Sequence, residues 1–320
     1  MLRSTLIYLS KAEWARRIVT TWSLSWRAAS RFVAGVTLEE AIKVVKILNS
    51  NNINATLDHL GEHVTTDEEA REATKSIEST LRAIDSAGVR SNVSIKLTQI
   101  GLALSEQLCE ENLRQILATA REYNNYVRID MEDSPWVDTT LRLYRKMIDK
   151  YEFTNTGVVI QSYLFRSEDD IGTLSSEGTT IRLCKGAYNE PLEVAFPKKI
   201  DVDANFDLLT KLLIDAAISL DCPTLSGDGK FPPIPAIASH DPERLAYAKK
   251  YADAAELPKR AIEFQMLFGI RRGLQEETVH EGYPVRVYVP YGTEWYPYFV
   301  RRLAERPANV WFFISNLFRK

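Results

Sequence analysis

Cysteine is scarce in this chain of 320 residues. Cys109, Cys184 and Cys222 are odd in number, unrelated in spacing and form no CxxC pair. That excludes a disulfide framework and a thioredoxin-like motif, and fits a reducing cytosol. Long apolar runs are also missing. None approaches the roughly 18 residues of a membrane span. The LIYL stretch at 6–9 is too short for a signal-peptide core before Lys11, Glu13, Arg16 and Arg17 interrupt it, so the chain reads as its own mature form. Charge of one sign is lacking too. With 40 Lys plus Arg against 43 Asp plus Glu the formal net charge is -3, which excludes nucleic-acid binding by bulk charge. The 14 Gly and 13 Pro are scattered, and no repeat or low-complexity tract appears. What remains is an ordinary globular composition, 45% hydrophobic and 26% charged, with ample material for a core.

The charge is unevenly placed. Residues 1–35 hold six basic side chains (Arg3, Lys11, Arg16, Arg17, Arg27, Arg31) against Glu13, so this arm carries +5 and the other 285 residues carry -8. Trp14, Trp22 and Trp26 lie in the same arm. Such a segment suits a membrane interface or a helix docked on the main body. Docking is the favoured reading, because Trp on an amphipathic helix usually anchors it to a core. The aromatic tail around Trp311, Phe312, Phe313 and Phe318 raises the same choice between a subunit and a membrane surface. The expected division is a helical arm at 1–35, a catalytic barrel at 36–310 and a tail at 311–320.

Between arm and tail, helix signals alternate with short β-branched runs. Thr37 to Glu40 is a capping box opening a helix to about Asn49, and Thr66 with Glu69 caps another running towards Gly88. Strands are expected at 53–57, 93–96, 126–130, 157–161, 179–183, 235–239, 262–265 and 285–289, each followed by a helical pattern. Eight β-then-α units in one chain point to a closed (βα)8 barrel. An open doubly wound sheet would need a Gly-rich dinucleotide turn after its first strand, and that turn is missing. The pair Gly227 and Gly229 sits in a Pro-bounded loop and reads as a turn.

In such a barrel chemistry sits where strands end. The expected C-terminal ends carry Asp58, Lys96, Asp130, Gln161, Arg182 with Lys185, Ser239 with His240, and Tyr288. The strand bodies read as Val, Ile, Leu and Thr. Seven polar ends around one rim suggest a polar ligand with several anionic parts. Three other readings compete. His59 to His63 matches the HxxEH pattern of a zinc site, but that geometry needs a helix, and this stretch carries Gly61 and follows a strand directly. Lys96 or Lys185 could form a Schiff base as in an aldolase, yet neither spacing nor neighbours favour an imine over charge binding. Asp130, Glu132 and Asp133 could act as acids and bases or hold a metal, though three acids before a helix are more often helix-end charges. A non-catalytic amino-acid-binding barrel also stays open.

The runs RLCKGAY from Arg182 to Tyr188, YVPYGT from Tyr288 to Thr293, and Tyr298 with Arg301, Arg302 and Glu305 in the last helix resemble proline dehydrogenase of the short bacterial monofunctional type. LDHLGE at 57–62, SIKLTQ at 94–99, IDME at 129–132 and QMLFG at 265–269 fit the same family, in its order. The resemblance covers about 31–309. It implies a distorted (βα)8 TIM-type barrel holding FAD without a Rossmann fold, with a final helix over the mouth. It implies oxidation of L-proline to Δ1-pyrroline-5-carboxylate, with electrons passed on to a membrane quinone. Arg301 and Arg302 would grip the proline carboxylate, supported by Lys96, while Tyr288, Tyr298 and Leu267 shape the pocket. Asp58 or Glu62 would pair with the arginine helix and close the site. Arg182 would donate to the flavin N5, and Asp130 would orient the substrate network. Met131, Gln161 and the stretch Lys185, Gly186, Ala187 and Tyr188 would line the cofactor, with Ser239 and His240 on its diphosphate or ribose side. No metal is implied. Periodicity alone gives another view of the last helix: Tyr296, Phe299, Val300 and Leu303 form an apolar stripe, and the opposite stripe with Arg301 and Arg302 reads as solvated. Ser239 stands where the family often has Thr, and residues 1–30 match nothing in it.

Overall fold

The computed structural model describes residues 23–61 and 64–305, apart from the side chains of 23–25, 304 and 305. Trp14, Trp22, Glu62, His63 and the aromatic tail lie outside the described residues, as does the side chain of Glu305. After helix α1 (Ser23–Ala29) and helix α2 (Leu38–Ser50) the chain alternates strictly. The order is β1 (Asn54–His59), α3 (Asp67–Ala87), β2 (Ser91–Ile95), α4 (Glu106–Glu122), β3 (Val127–Ile129), α5 (Val137–Asp149), β4 (Thr156–Gln161) and α6 (Ser167–Ser176). It continues with β5 (Ile181–Cys184), α7 (Lys199–Ser219), β6 (Pro235–Ala238), α8 (Pro242–Ala254), β7 (Glu263–Leu267), α9 (Arg272–His280), β8 (Val285–Tyr291) and α10 (Trp295–Glu305). Each strand pairs in parallel with the next, and β1 closes on β8, giving the (βα)8 barrel expected from the sequence. The expected caps are present. Thr37 and Glu40 form a reciprocal box, and Thr66 accepts from the Glu69 amide, each satisfying N–H groups a helix start leaves open. Gly88 ends α3 in the left-handed region that a Cβ disfavours.

The strand bodies depart from expectation in one respect. Their outward positions are apolar and pack under the helices, but their inward positions are strongly polar. On β1, Asn54, Thr56 and Asp58 alternate with Ala55 and Leu57; on β7, Glu263 and Gln265 alternate with Phe264 and Met266. Arg128, Glu263 and Arg286 are almost fully buried. Such charges persist only when paired. Arg286 donates to both carboxylate oxygens of Glu263, at 2.8 and 3.0 Å, and to the carbonyls of Ala55 and Gly229. Arg128 donates to the carbonyls of Val158 and Thr180. The barrel interior is therefore a hydrogen-bonded lattice, while the hydrophobic core lies between strands and helices.

A second, smaller apolar cluster lies at the C-terminal end of the barrel. It joins Ala29, Phe32 and Val33 to Leu60, Ile270, Trp295, Tyr296, Phe299, Val300 and Leu303. The ring of Trp26 meets that of Trp295 edge-on at 5.5 Å, and Phe32 lies 6.3 Å from Phe299. The described part of the arm is thus docked, and it covers the apolar stripe of α10. A fully buried aromatic removes about 150–250 Å² from water, at most roughly 4–6 kcal/mol per ring. Beyond α1 the chain joins the end of β8, with the Ala34 amide donating to Pro290 and the Gly292 amide to Gly35.

Gly269 makes this docking possible. Its φ is +76°, and a Cβ there would fall 1.6 Å from the Arg31 carbonyl oxygen. Gly269→Ala should therefore cost about 1–3 kcal/mol in backbone strain alone. The expected outcome is a lower thermal midpoint together with faster limited proteolysis within residues 23–35.

Candidate active site

Five of the rim residues singled out from the sequence converge in one network. Asp130, just past β3, accepts from Arg182 Nη1 at 2.7 Å and from the Ser94 hydroxyl at 2.7 Å through Oδ1. Its Oδ2 accepts from the Tyr288 hydroxyl at 2.8 Å and lies 3.6 Å from Lys96 Nζ. Lys96 is also 3.6 Å from the buried carboxylate of Asp58 and donates to the Tyr288 oxygen at 3.4 Å. Parallel strands produce this convergence, because inward positions near neighbouring strand ends share one layer of the barrel. The Arg182 guanidinium donates through Nε to Gln265 at 2.5 Å and lies 5.4 Å over the Tyr288 ring. Burial, reinforced by the negative charges of Asp130 and Asp58, pushes the Tyr288 phenol well above its ordinary range despite nearby Lys96 and Arg182. Tyr288 therefore stays neutral at ordinary pH and acts as a donor to Asp130.

A cleft of about 420 Å³ opens past the end of β5, bordered among others by Tyr163, Lys185, Gly186, Tyr188, Asn189 and Lys199. Lys185, Gly186 and Tyr188 thus border one space, whereas Ala187 is exposed and does not line it. Lys185 is neutralised by two carboxylates, Asp203 at 2.5 Å and Asp241 at 2.7 Å. Gln161 is buried; its Nε2 donates to the Met131 carbonyl at 3.2 Å, while its Oε1 has no partner among the described residues. Ser239 accepts from the Asp241 amide, and His240 Nε2 accepts from the Leu267 amide at 2.8 Å, so the proton of a neutral imidazole sits on Nδ1. An orphaned buried acceptor at the end of β4, in register with Cys184 just before Lys185, fits a polar cofactor held at the ends of β4 and β5.

On α10 the stripe expected to be solvated is not. Tyr298 is buried, Arg301 and Arg302 are half-buried, and the Arg302 guanidinium lies 5.1 Å over the Tyr298 ring. The reason is tertiary: Trp26, Ala29, Phe32 and Val33 cover the apolar stripe, and the helix as a whole is held against the body of the protein. Leu267, at the end of β7, packs against the cluster that contains Tyr298. Asp58, one expected gate partner, lies 3.6 Å from Lys96, and Glu62, the other, lies outside the described residues. His59 ends a strand, so the helical spacing that an HxxEH zinc site requires is not met at its first residue.

The family model described as "Proline dehydrogenase" matches residues 41–314. The chain belongs to the proline dehydrogenase family. "Proline dehydrogenase 1" of Bacillus subtilis (strain 168) is 41% identical over 320 residues, covering all of both chains. "Proline dehydrogenase" of Deinococcus radiodurans is 38% identical over 297 residues, 92% of this chain and 91% of that one. Both relatives match the chain nearly end to end, in keeping with the short monofunctional type of the family. Among solved structures, proline utilization A from Bdellovibrio bacteriovorus, inactivated by N-propargylglycine, superposes with a TM-score of 0.78 at 28% identity. It covers 88% of this chain and 33% of that one, so the chain spans a third of that relative's length.

Sequence reading missed several members of the site: Ser94 and Gln265 on Arg182, and Asp203 and Asp241 on Lys185. Ser94 and Gln265 carried a signal, since polar residues at period two within otherwise apolar strands must face inward. The aspartates on Lys185 carried none, because they come from a helix and a loop remote in sequence.

His59 offers a test of this rim in a proline dehydrogenase fold. Its imidazole packs on Tyr291, and burial lowers its pKa below 6.5, with Asp58 acting weakly against the shift. The unfolded chain takes up that proton first, so the contribution to stability is complete above about pH 6.5 and declines as pH falls through that value. His59→Gln should flatten the fall in urea midpoint between pH 7.5 and 5.5, by no more than about 1.4 kcal/mol per pH unit.

Proposed function

We propose that the chain oxidises L-proline to Δ1-pyrroline-5-carboxylate with FAD as cofactor and a quinone as electron acceptor. Membership of the proline dehydrogenase family gives the coarse activity, an oxidoreductase of proline catabolism. The observation that carries the finer reading is the network in which Asp130 collects Arg182 of β5, Ser94 of β2, Tyr288 of β8 and Lys96 just past β2. Cations fixed there suit both an amino-acid carboxylate and a cofactor that gains negative charge on reduction.

When bound, FAD supplies the acceptor for the hydride that leaves proline C5. Residues Met131, Gln161, Lys185, Gly186, Tyr188, Ser239 and His240 would hold it, with Ala187, exposed beside them, following only as part of the same run. Arg182 would face that acceptor as a fixed donor, with Asp130 holding its guanidinium in place. Arg301 and Arg302 bind the proline carboxylate through charge-assisted bonds, each contributing about 1.5–3 kcal/mol. Lys96 adds a third cation, Tyr288, Tyr298 and Leu267 shape the pocket, and Asp58 with Glu62 closes it. The cluster of α1 and α10 keeps water from the mouth, which strengthens these interactions. Electron transfer to a quinone brings the protein to the inner face of the cytoplasmic membrane, and the basic arm at 1–35 is the segment suited to that contact. No described helix is long and apolar enough to cross a membrane.

Anaerobic L-proline should bleach the visible bands of the FAD-loaded protein within the dead time of manual mixing. Protein that binds proline but neither bleaches nor reduces an artificial acceptor would be a binding barrel instead. Arg302→Ala should raise KM for proline by about 10- to 100-fold with a smaller change in kcat, the signature of a lost carboxylate partner. Steady-state assays with a dye acceptor measure both constants, and an unchanged KM would remove Arg302 from the pocket.

A further inference from the structure

Arg182 is held by more than Asp130. Its Nε donates to Gln265 Oε1 at 2.5 Å, and the Gln265 Nε2 donates in turn to Glu263 Oε1 at 2.6 Å. Glu263 is wholly inaccessible and is bound by Arg286 through Nε and Nη2. Glu263 and Gln265 are two apart on β7, so both side chains point into the barrel with Glu263 one layer deeper. An amide can be turned either way, and nothing in its own shape decides which end faces the guanidinium. The carboxylate below decides it. A carboxylate held by Arg286 can only accept, so it takes the Gln265 NH2 and leaves the carbonyl oxygen for Arg182. Were the amide reversed, its NH2 would face the Arg182 N–H groups and its oxygen would face the carboxylate, with both contacts repulsive in a low-dielectric interior.

We propose that Glu263 and Gln265 are positioning residues for Arg182: the buried carboxylate sets the polarity of the Gln265 amide, and that amide holds the guanidinium in the orientation that proline oxidation requires. The inference rests on the reading of Arg182 as the cation facing the flavin. Neither residue touches substrate or cofactor. With Nε held by Gln265 and Nη1 by Asp130 and Ser94, rotation about the guanidinium plane is blocked, and among the described residues no group accepts from Nη2. Pinning two nitrogens and presenting the third is how a flexible side chain becomes a directed donor before any ligand arrives.

The test uses Gln265→Met, which keeps length and removes both hydrogen bonds, and Glu263→Gln, which removes the directing charge. In the cofactor-free protein the Arg182 Nε–Hε resonance, assigned by its loss in Arg182→Lys, should exchange slowly with solvent. It should exchange faster by on the order of 10-fold in both variants. In the FAD-loaded protein both should lose kcat with L-proline by on the order of 10-fold or more at nearly unchanged KM. The flavin midpoint potential, read by dye equilibration, should move to more negative values. Folded variants that keep the parent exchange rate, kcat and potential would overturn the proposal, even with a lowered thermal midpoint, since a merely structural role predicts that pattern. Should Glu263→Gln fail to fold, Gln265→Met decides, because it leaves the Glu263–Arg286 pair intact. If the parent neither takes up FAD nor is bleached by proline, the functional reading fails, while the exchange measurement still decides whether Glu263 and Gln265 fix Arg182.

Discussion

A charge placed inside a barrel must find its partners there, and much of this molecule is organised by that requirement. Eight parallel strands leave an interior too narrow for water to solvate several ions. Arg286 and Glu263 near the base, Arg182 and Asp130 near the mouth, and Lys96 with Asp58 beside them therefore appear as matched pairs. Each pair is joined by amide or hydroxyl groups, with Gln265 linking the lower layer to the upper one and Tyr288 linking Asp130 to Lys96. Exchanging such a lattice for aliphatic packing would often be neutral or favourable to stability. On the proposed function its presence is preorganisation: the donors that a substrate carboxylate and an electron-rich cofactor would need are already oriented and dehydrated.

The apolar shell plays the complementary part. Outward positions of the strands and inner faces of the helices form one continuous core, and it supplies the cohesion that the ionic interior does not. The division of labour follows from the pleat, which sends alternate side chains to opposite faces. Two kinds of interior, one apolar and one ionic, are separated by a single layer of backbone.

This architecture also explains what could be read in the sequence. The barrel was legible because short strands between capped helices leave a local signature, as with Thr37 and Glu40 or Thr66 and Glu69. The rim was legible because Asp58, Lys96 and Asp130 stand at or just past strand ends, and because Arg182 and Tyr288, which the structure places within β5 and β8 rather than at their ends, interrupt apolar runs. Residues deeper in the strands, Arg128, Glu263 and Arg286, were passed over as ordinary strand bodies although the same alternation marks them. The environment of α10 was not available locally. Periodicity marks its apolar stripe for burial, but what covers that stripe, Trp26 and Phe32, comes from the other end of the described chain. Asp203 and Asp241 meet Lys185 through loop closure alone, so nothing near Lys185 announces them.

The cover over the mouth is assembled from the two ends of the described chain, residues 26–33 and 295–303, with the whole barrel between them. These contacts have the longest sequence separation the described chain allows, and such contacts form late, after the intervening loop has been shortened by other structure. During synthesis residues 26–33 are made before the barrel and must wait for a partner made after it. Until then their tryptophan and phenylalanine stay exposed, and the catalytic cavity has walls but no roof. The barrel can therefore close before the site is complete, and a chain cut short before α10 would keep the strand-end lattice while losing the shelter that makes it useful.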